Sequence, residues 1–164
     1  MASTITAATM KVTIIENISL NGRQQGSTNS FNISSINEVY KRIVTCPANQ
    51  DTTVGLFQSA VSDDVESLAL DTQDVKYIRV TNLDDTNSVN LSLQIDAGED
   101  DSSADESGTI LLAAGHSFIM GTSHDSIAVS DANATIVTTL HDLESILIDP
   151  SANAVDVEIF VASI

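Results

Sequence analysis

A chain of 164 residues with 42% apolar side chains is long enough for one domain with a sizeable core, and it needs no disulfide or metal to fold. Twenty-three Asp and Glu against six Lys and Arg give a formal charge of −17, which argues against gripping nucleic-acid phosphates, a task that needs a basic surface. The single Cys46 excludes an internal disulfide and a cysteine-based zinc site.

From Met1 to Met10 no basic residue precedes an apolar run, so no signal peptide is expected. No stretch approaches the ~20 apolar residues of a membrane-spanning helix. The Asn-x-Ser/Thr triplets at Asn17, Asn32, Asn90 and Asn133 then read as chance, because glycosylation needs the secretory route.

Period-two alternation dominates the chain. Val12, Ile14, Ile18 and Leu20 fall on one face of a strand, and Thr13, Asn17 and Ser19 on the other. Asn21-Gly22 favours positive φ and marks a hairpin or loop. Strands are predicted at 29–33, at 39–45, where Cys46-Pro47 ends the ladder, and at 53–60. Residues 63–70 fit one short helical turn, and a strand follows at 75–82. The segment Leu83-Asp-Asp-Thr-Asn87 reads as a hairpin loop. The clearest strand is 88–96, where Val89, Leu91, Leu93 and Ile95 alternate with Asn90, Ser92 and Gln94.

The run from Asp96 to Glu106 predicts a solvated, self-repelling acidic loop around 96–107. Its carboxylates are hard-cation ligands in principle, but they lack the spacing of an EF-hand. Beyond it come strands at 109–113 and 117–121, joined by a tight Ala114-Gly115-His116 corner, and further strands at 127–130, 135–140 and 145–148, the last ended by Asp149-Pro150. The final run alternates Val155, Val157, Ile159 and Val161 with Asp156 and Glu158 and continues to Ile164, so it is expected to pair into a sheet. Phe160 interrupts the polar face, which predicts that this face is partly covered. The expected architecture is all-β: a single antiparallel β-sandwich, jelly-roll-like or Ig-like, spanning 1–164 as one domain.

All six basic residues precede position 80, so residues 1–80 carry six cations against eight carboxylates, or −2, and residues 81–164 carry −15. Few residues invite chemistry. His124-Asp125-Ser126 and His141-Asp142 contain the residue types of a nucleophilic triad, but adjacent residues on an extended chain point to opposite faces. His116, His124 and His141 lack metal-ligand spacing. Cys46 reads as a small buried apolar residue, and Asp63-Asp64 and Asp84-Asp85 read as turn formers. Lys41-Arg42 is a small basic patch at a strand edge, with docking as its functional reading. No catalytic, cofactor-binding or metal-binding residue is assigned, and no enzyme activity or cofactor is expected.

Three segments carry a resemblance: Asp74-Val-Lys-Tyr-Ile-Arg-Val-Thr-Asn-Leu-Asp-Asp-Thr-Asn87, Ile110-Leu-Leu-Ala-Ala-Gly-His-Ser-Phe-Ile-Met120 and Val155-Asp-Val-Glu-Ile-Phe-Val-Ala-Ser-Ile164. Together with Leu20-Asn-Gly-Arg23, about a quarter of the chain resembles small virion structural proteins of tailed phages, those of marine cyanobacteria especially. The resemblance implies a non-enzymatic particle component, assembled in the host cytoplasm and located in the virion. The leading expectation is a capsid decoration or cement protein that contacts the major capsid protein and other copies of itself, most simply in a closed ring. Its less acidic first half would face the partner. The alternatives are a neck, tail or fibre-associated virion protein and, in a different class, a carbohydrate- or surface-binding module. The absence of Trp and an aromatic content of 4% count against the last. Neither nucleic acid nor membrane is expected as a direct partner.

Overall fold

The computed structural model describes residues 5–58, 69–96, 106–121, 128–129, 136 and 140–164. Among these residues all regular structure is strand, with no helix. The first 36 residues contribute β1 (Ala8–Ile15), β2 (Ser19–Leu20), β3 (Arg23–Gln24) and β4 (Thr28–Ile36). Then follow β5 (Glu38–Cys46), β6 (Thr52–Gln58), β7 (Leu70–Asp71), β8 (Val75–Asn82) and β9 (Val89–Asp96). The remainder are β10 (Glu106–Leu112), β11 (Ser117–Gly121), β12 (Ala128–Val129), β13 (His141–Asp149) and β14 (Val155–Ser163).

A four-stranded sheet runs in the order β11-β8-β14-β5, and a six-stranded sheet in the order β10-β9-β13-β6-β7, with β12 joining β13. Numbering the long strands β5, β6, β8, β9, β10, β11, β13 and β14 from one to eight, the two sheets read 1-8-3-6 and 2-7-4-5. That is the strand order of a jelly roll, two Greek keys folded over one core, and it decides between the two sandwich types expected. One rung departs from the antiparallel rule: β6 and β7 pair parallel, Phe57 opposite Leu70.

The alternation explains the core. Val155, Val157, Ile159 and Val161 point inward from β14 and meet Leu91 of β9 and Ile146 and Ile148 of β13 across the sandwich. Each such side chain, buried, contributes roughly 1.5–3 kcal/mol relative to exposure. Pro47 and Pro150 follow the last residues of β5 and β13, as a residue without an N–H dictates.

The Leu83–Asn87 segment is not a hairpin loop. It carries the chain from β8 in one sheet to β9 in the other, and Ala114-Gly115-His116 makes the same passage between β10 and β11. Buried Asn82 fixes both crossings. Its Nδ2 donates to the carbonyls of Asn87 (2.8 Å) and Leu112 (3.2 Å), its Oδ1 accepts from Asp84 N (3.0 Å), and its own N–H donates to His116 O (3.0 Å). Inside the first crossing, Asp84 Oδ1 accepts from the backbone of Thr86 and Asn87, so the expected turn-forming role of Asp84-Asp85 holds.

Other expectations meet the structure unevenly. The predicted strand at 145–148 extends to His141–Asp149. Ile136 and Leu140, at the predicted strand 135–140, lie outside any strand, and 135 and 137–139 fall outside the described residues. Of the helical turn expected at 63–70, residues 63–68 lie outside the described residues and Leu70 opens β7. The acidic run joins two paired strands, with Glu106 opposite Ile95, while 97–105 lie outside the described residues.

The N-terminal strands form a separate arm. Met10 pairs with Ile33, Val12 with Phe31, Ile14 with Asn29 and Ile15 with Thr28. The same register carries on past β1: Glu16 N donates to Ser27 O (2.8 Å), Gln25 N donates to Ile18 O (2.9 Å), and Leu20 lies opposite Arg23. This is one long hairpin closed by Asn21 and Gly22, whose φ values of 51° and 74° give the type I′ turn that matches strand twist. The strand read from Val12 to Leu20 is thus one limb of the hairpin, interrupted only around 16–18.

Candidate functional site

One face of the arm is apolar at its base and mixed toward its tip. Residues of equal parity in a continuous register share a side, so Met10, Val12, Ile14, Ile18 and Leu20 line up with Phe31 and Ile33 across the hairpin, with Glu16, Gln25, Ser27 and Asn29 among them toward the tip. At its base this face is covered: Met10, Val12, Ile33 and Ile36 pack on Tyr77, Phe160 and Ala162, which point outward from the four-stranded sheet. Coverage at Phe160 is what its place on a polar face predicts. Toward the turn the face is open, with Ile14 44%, Ile18 53% and Leu20 59% exposed. These three large apolar side chains stand exposed beside Glu16, whose carboxylate accepts a hydrogen bond from Ser27 Oγ. Arg23, directly across from Leu20, ends that face with a cation.

Beside the arm base lies an ion cluster. Glu158 of β14 receives Arg79 Nη2 at 2.5 Å and Lys41 Nζ at 3.0 Å, with its side chain only 13% exposed. Arg79 also donates to Thr81 Oγ1 and lies over the Phe160 ring, 5.9 Å from its centroid. Hydrogen bonds from Arg79, then Lys41, hold the Glu158 carboxyl below the usual carboxylate range. Lys41 and Arg42 do not form one patch: Lys41 sits opposite Phe160 and Arg42 opposite Ile159, so they face opposite sides of the sheet. Lys41 is committed to Glu158.

On the outer face of the six-stranded sheet, Asn90, Ser92 and Gln94 of β9 and Thr109 of β10 floor an open hollow of about 310 Å³. Asp51 and Asp149 stand at its side, and Leu147 contributes apolar surface. The described residues lining it include neither a cation nor an aromatic ring.

The remaining candidates are scattered. Cys46 is fully buried, and burial pushes its thiol up, away from the reactive thiolate. His116 Nδ1 lies 2.7 Å from Ala114 O in the β10–β11 corner, and His141 opens β13. His124, Asp125, Ser126, Asp63 and Asp64 lie outside the described residues. Among the described residues no group of three His, Cys, Asp or Glu side chains is placed to hold a metal ion. Sequence reasoning read the two limbs of the arm and its Asn21-Gly22 turn but missed that they stand apart from the sandwich, and it missed the Glu158 cluster. The arm's signal was its charge: residues 8–36 hold Lys11, Arg23 and Glu16, a net of +1, which leaves −18 of the total −17 for the rest of the chain. The split between halves at residue 80 dissolves in a jelly roll, where β5 and β8 interleave with β11 and β14.

No family model matches the chain, and no curated protein matches it. Among solved structures, a chain from Bacillus endospore appendages, described as a novel family of disulfide-linked pili, is similar at a TM-score of 0.35 and 14% identity. That likeness covers 76% of this chain and 87% of the other, and at this level it bears no functional argument. The resemblance to phage virion proteins therefore has no family match beside it.

Proposed function

We propose that this is a non-enzymatic structural subunit that acts through contact, and specifically a capsid decoration protein of a tailed-phage head. The carrying observation is the set of exposed large apolar side chains on one face of the arm, Ile14, Ile18 and Leu20, mounted on a jelly roll. Burying such side chains against a partner recovers the same transfer free energy that builds a core. The major capsid protein and further copies of the chain are the partners in this reading, and the virion is its location. The strongly acidic body keeps the outward surface solvated and resists non-specific stacking. A sugar-binding role is less favoured, because the hollow lacks the aromatic platform that sugar faces use.

Quantitative mass spectrometry of purified particles of the encoding virus tests the reading. A decoration protein is present in hundreds of copies per particle. A handful of copies would move it to the neck or tail, and absence from the particle would contradict the virion reading.

A further inference from the structure

The arm and the hollow are complementary, and they lie on opposite sides of the molecule. The arm base is fixed on the outer face of the four-stranded sheet, whereas the hollow is on the outer face of the six-stranded sheet. A chain therefore cannot seat its own arm in its own hollow. The arm tip offers Ile18, Leu20 and Arg23, and Arg23 makes no ion pair among the described residues. The hollow offers Asp51 and Asp149 as carboxylates, Leu147 as apolar floor, and Leu111, 69% exposed, beside Asn90. Charge selects this acceptor over the edge strand β5 of the opposite sheet, where Arg42 stands exposed. Glu16 shares the docking face, but Arg23 stands nearer the tip, and a charge of −18 outside residues 8–36 favours the tip meeting a second body over body meeting body.

We infer that the arm of one copy docks in the six-stranded face of another, Leu20 against Leu147 and Leu111, and Arg23 between Asp51 and Asp149. Donor and acceptor lie on the outer faces of opposite sheets, so one partner does not engage both at once and the contact is heterologous. It propagates copy to copy and ends in a closed ring or a filament. This rests on the contact reading above and names its first partner.

Light scattering on the full chain tests it with Arg23→Glu, Asp51→Arg and the two combined, each checked for an unchanged thermal unfolding curve. Asp51 is exposed and is chosen because Asp149 also caps the backbone of Ser151 at 2.8 Å. The wild type is expected to assemble beyond a dimer. Each single variant is expected to associate at least about tenfold more weakly, and the combined variant to recover, since the reversed pair restores attraction. Assembly that ignores Arg23→Glu, or a folded combined variant that does not recover, overturns arm-to-hollow docking and leaves the contact reading standing. A monomeric wild type that nevertheless decorates purified particles overturns the docking alone. A monomeric wild type absent from particles overturns both.

Discussion

Glu158 shows how a single side chain can order a surface. Its carboxylate gathers Arg79 from β8 and Lys41 from β5 onto the central strand β14, and Arg79 in turn lies over Phe160, whose ring meets Tyr77 edge-on at a centroid distance of 6.0 Å. The arm base rests on that Tyr77–Phe160 pair. Because the folded carboxyl titrates below its unfolded value, its contribution is fully present above the ordinary carboxylate range, near 4.3, and is lost as pH falls through the depressed folded value. Glu158→Gln is expected to lower stability at neutral pH by about 0.5–2 kcal/mol, a modest figure because Lys41 is 57% exposed and well screened. Denaturant unfolding across pH checks this: the gap between wild type and variant should close in acid, and a pH-independent gap would rule out the ionic origin. None of this cluster could be read from sequence. Lys41, Arg79 and Glu158 carry no mark that they meet, since their meeting depends on the register of three strands far apart in the chain.

At the scale of elements, strands were legible wherever one face is dry and the other wet. β9 and β14 alternate visibly because one face of each packs inside the sandwich. β8 is less regular, since Tyr77 is buried beneath the arm while Ile78 is buried in the core. Pairing was not legible. A five-residue link rich in Asp and Asn looks the same whether it closes a hairpin or crosses between sheets, and only Asn82, holding both crossings, distinguishes them. The arm depends on Gly26, where a Cβ would fall 1.8 Å from the Glu16 carbonyl oxygen. That contact is with backbone, so Gly26→Ala must displace the hairpin rather than a flexible side chain. Hydrogen exchange should show residues 13–28 losing protection in the variant while β8, β13 and β14 keep theirs. Retained protection in the arm would show that the hairpin tolerates the shift, and loss throughout would show that arm and sandwich unfold as one unit.

For the whole molecule, composition and periodicity led to an all-β sandwich, and the order 1-8-3-6 and 2-7-4-5 makes it a jelly roll. What the sequence left hidden was the division of labour: an acidic body with a closed core, and an arm whose apolar face is dry at the base and open at the tip. Packing at the base consumes only part of that face, and the exposed remainder is the surface on which the functional account depends. Ile18 and Leu20, both more than half exposed, contribute little to the stability of the lone chain, so replacing them separates folding from contact. Sedimentation velocity of the wild type beside the Ile18→Ser, Leu20→Ser double variant is the most direct test. The account predicts a wild type that sediments as an assembly and a variant that sediments as a monomer with an unchanged unfolding temperature; equal sedimentation of the two would contradict self-assembly through the open part of the arm.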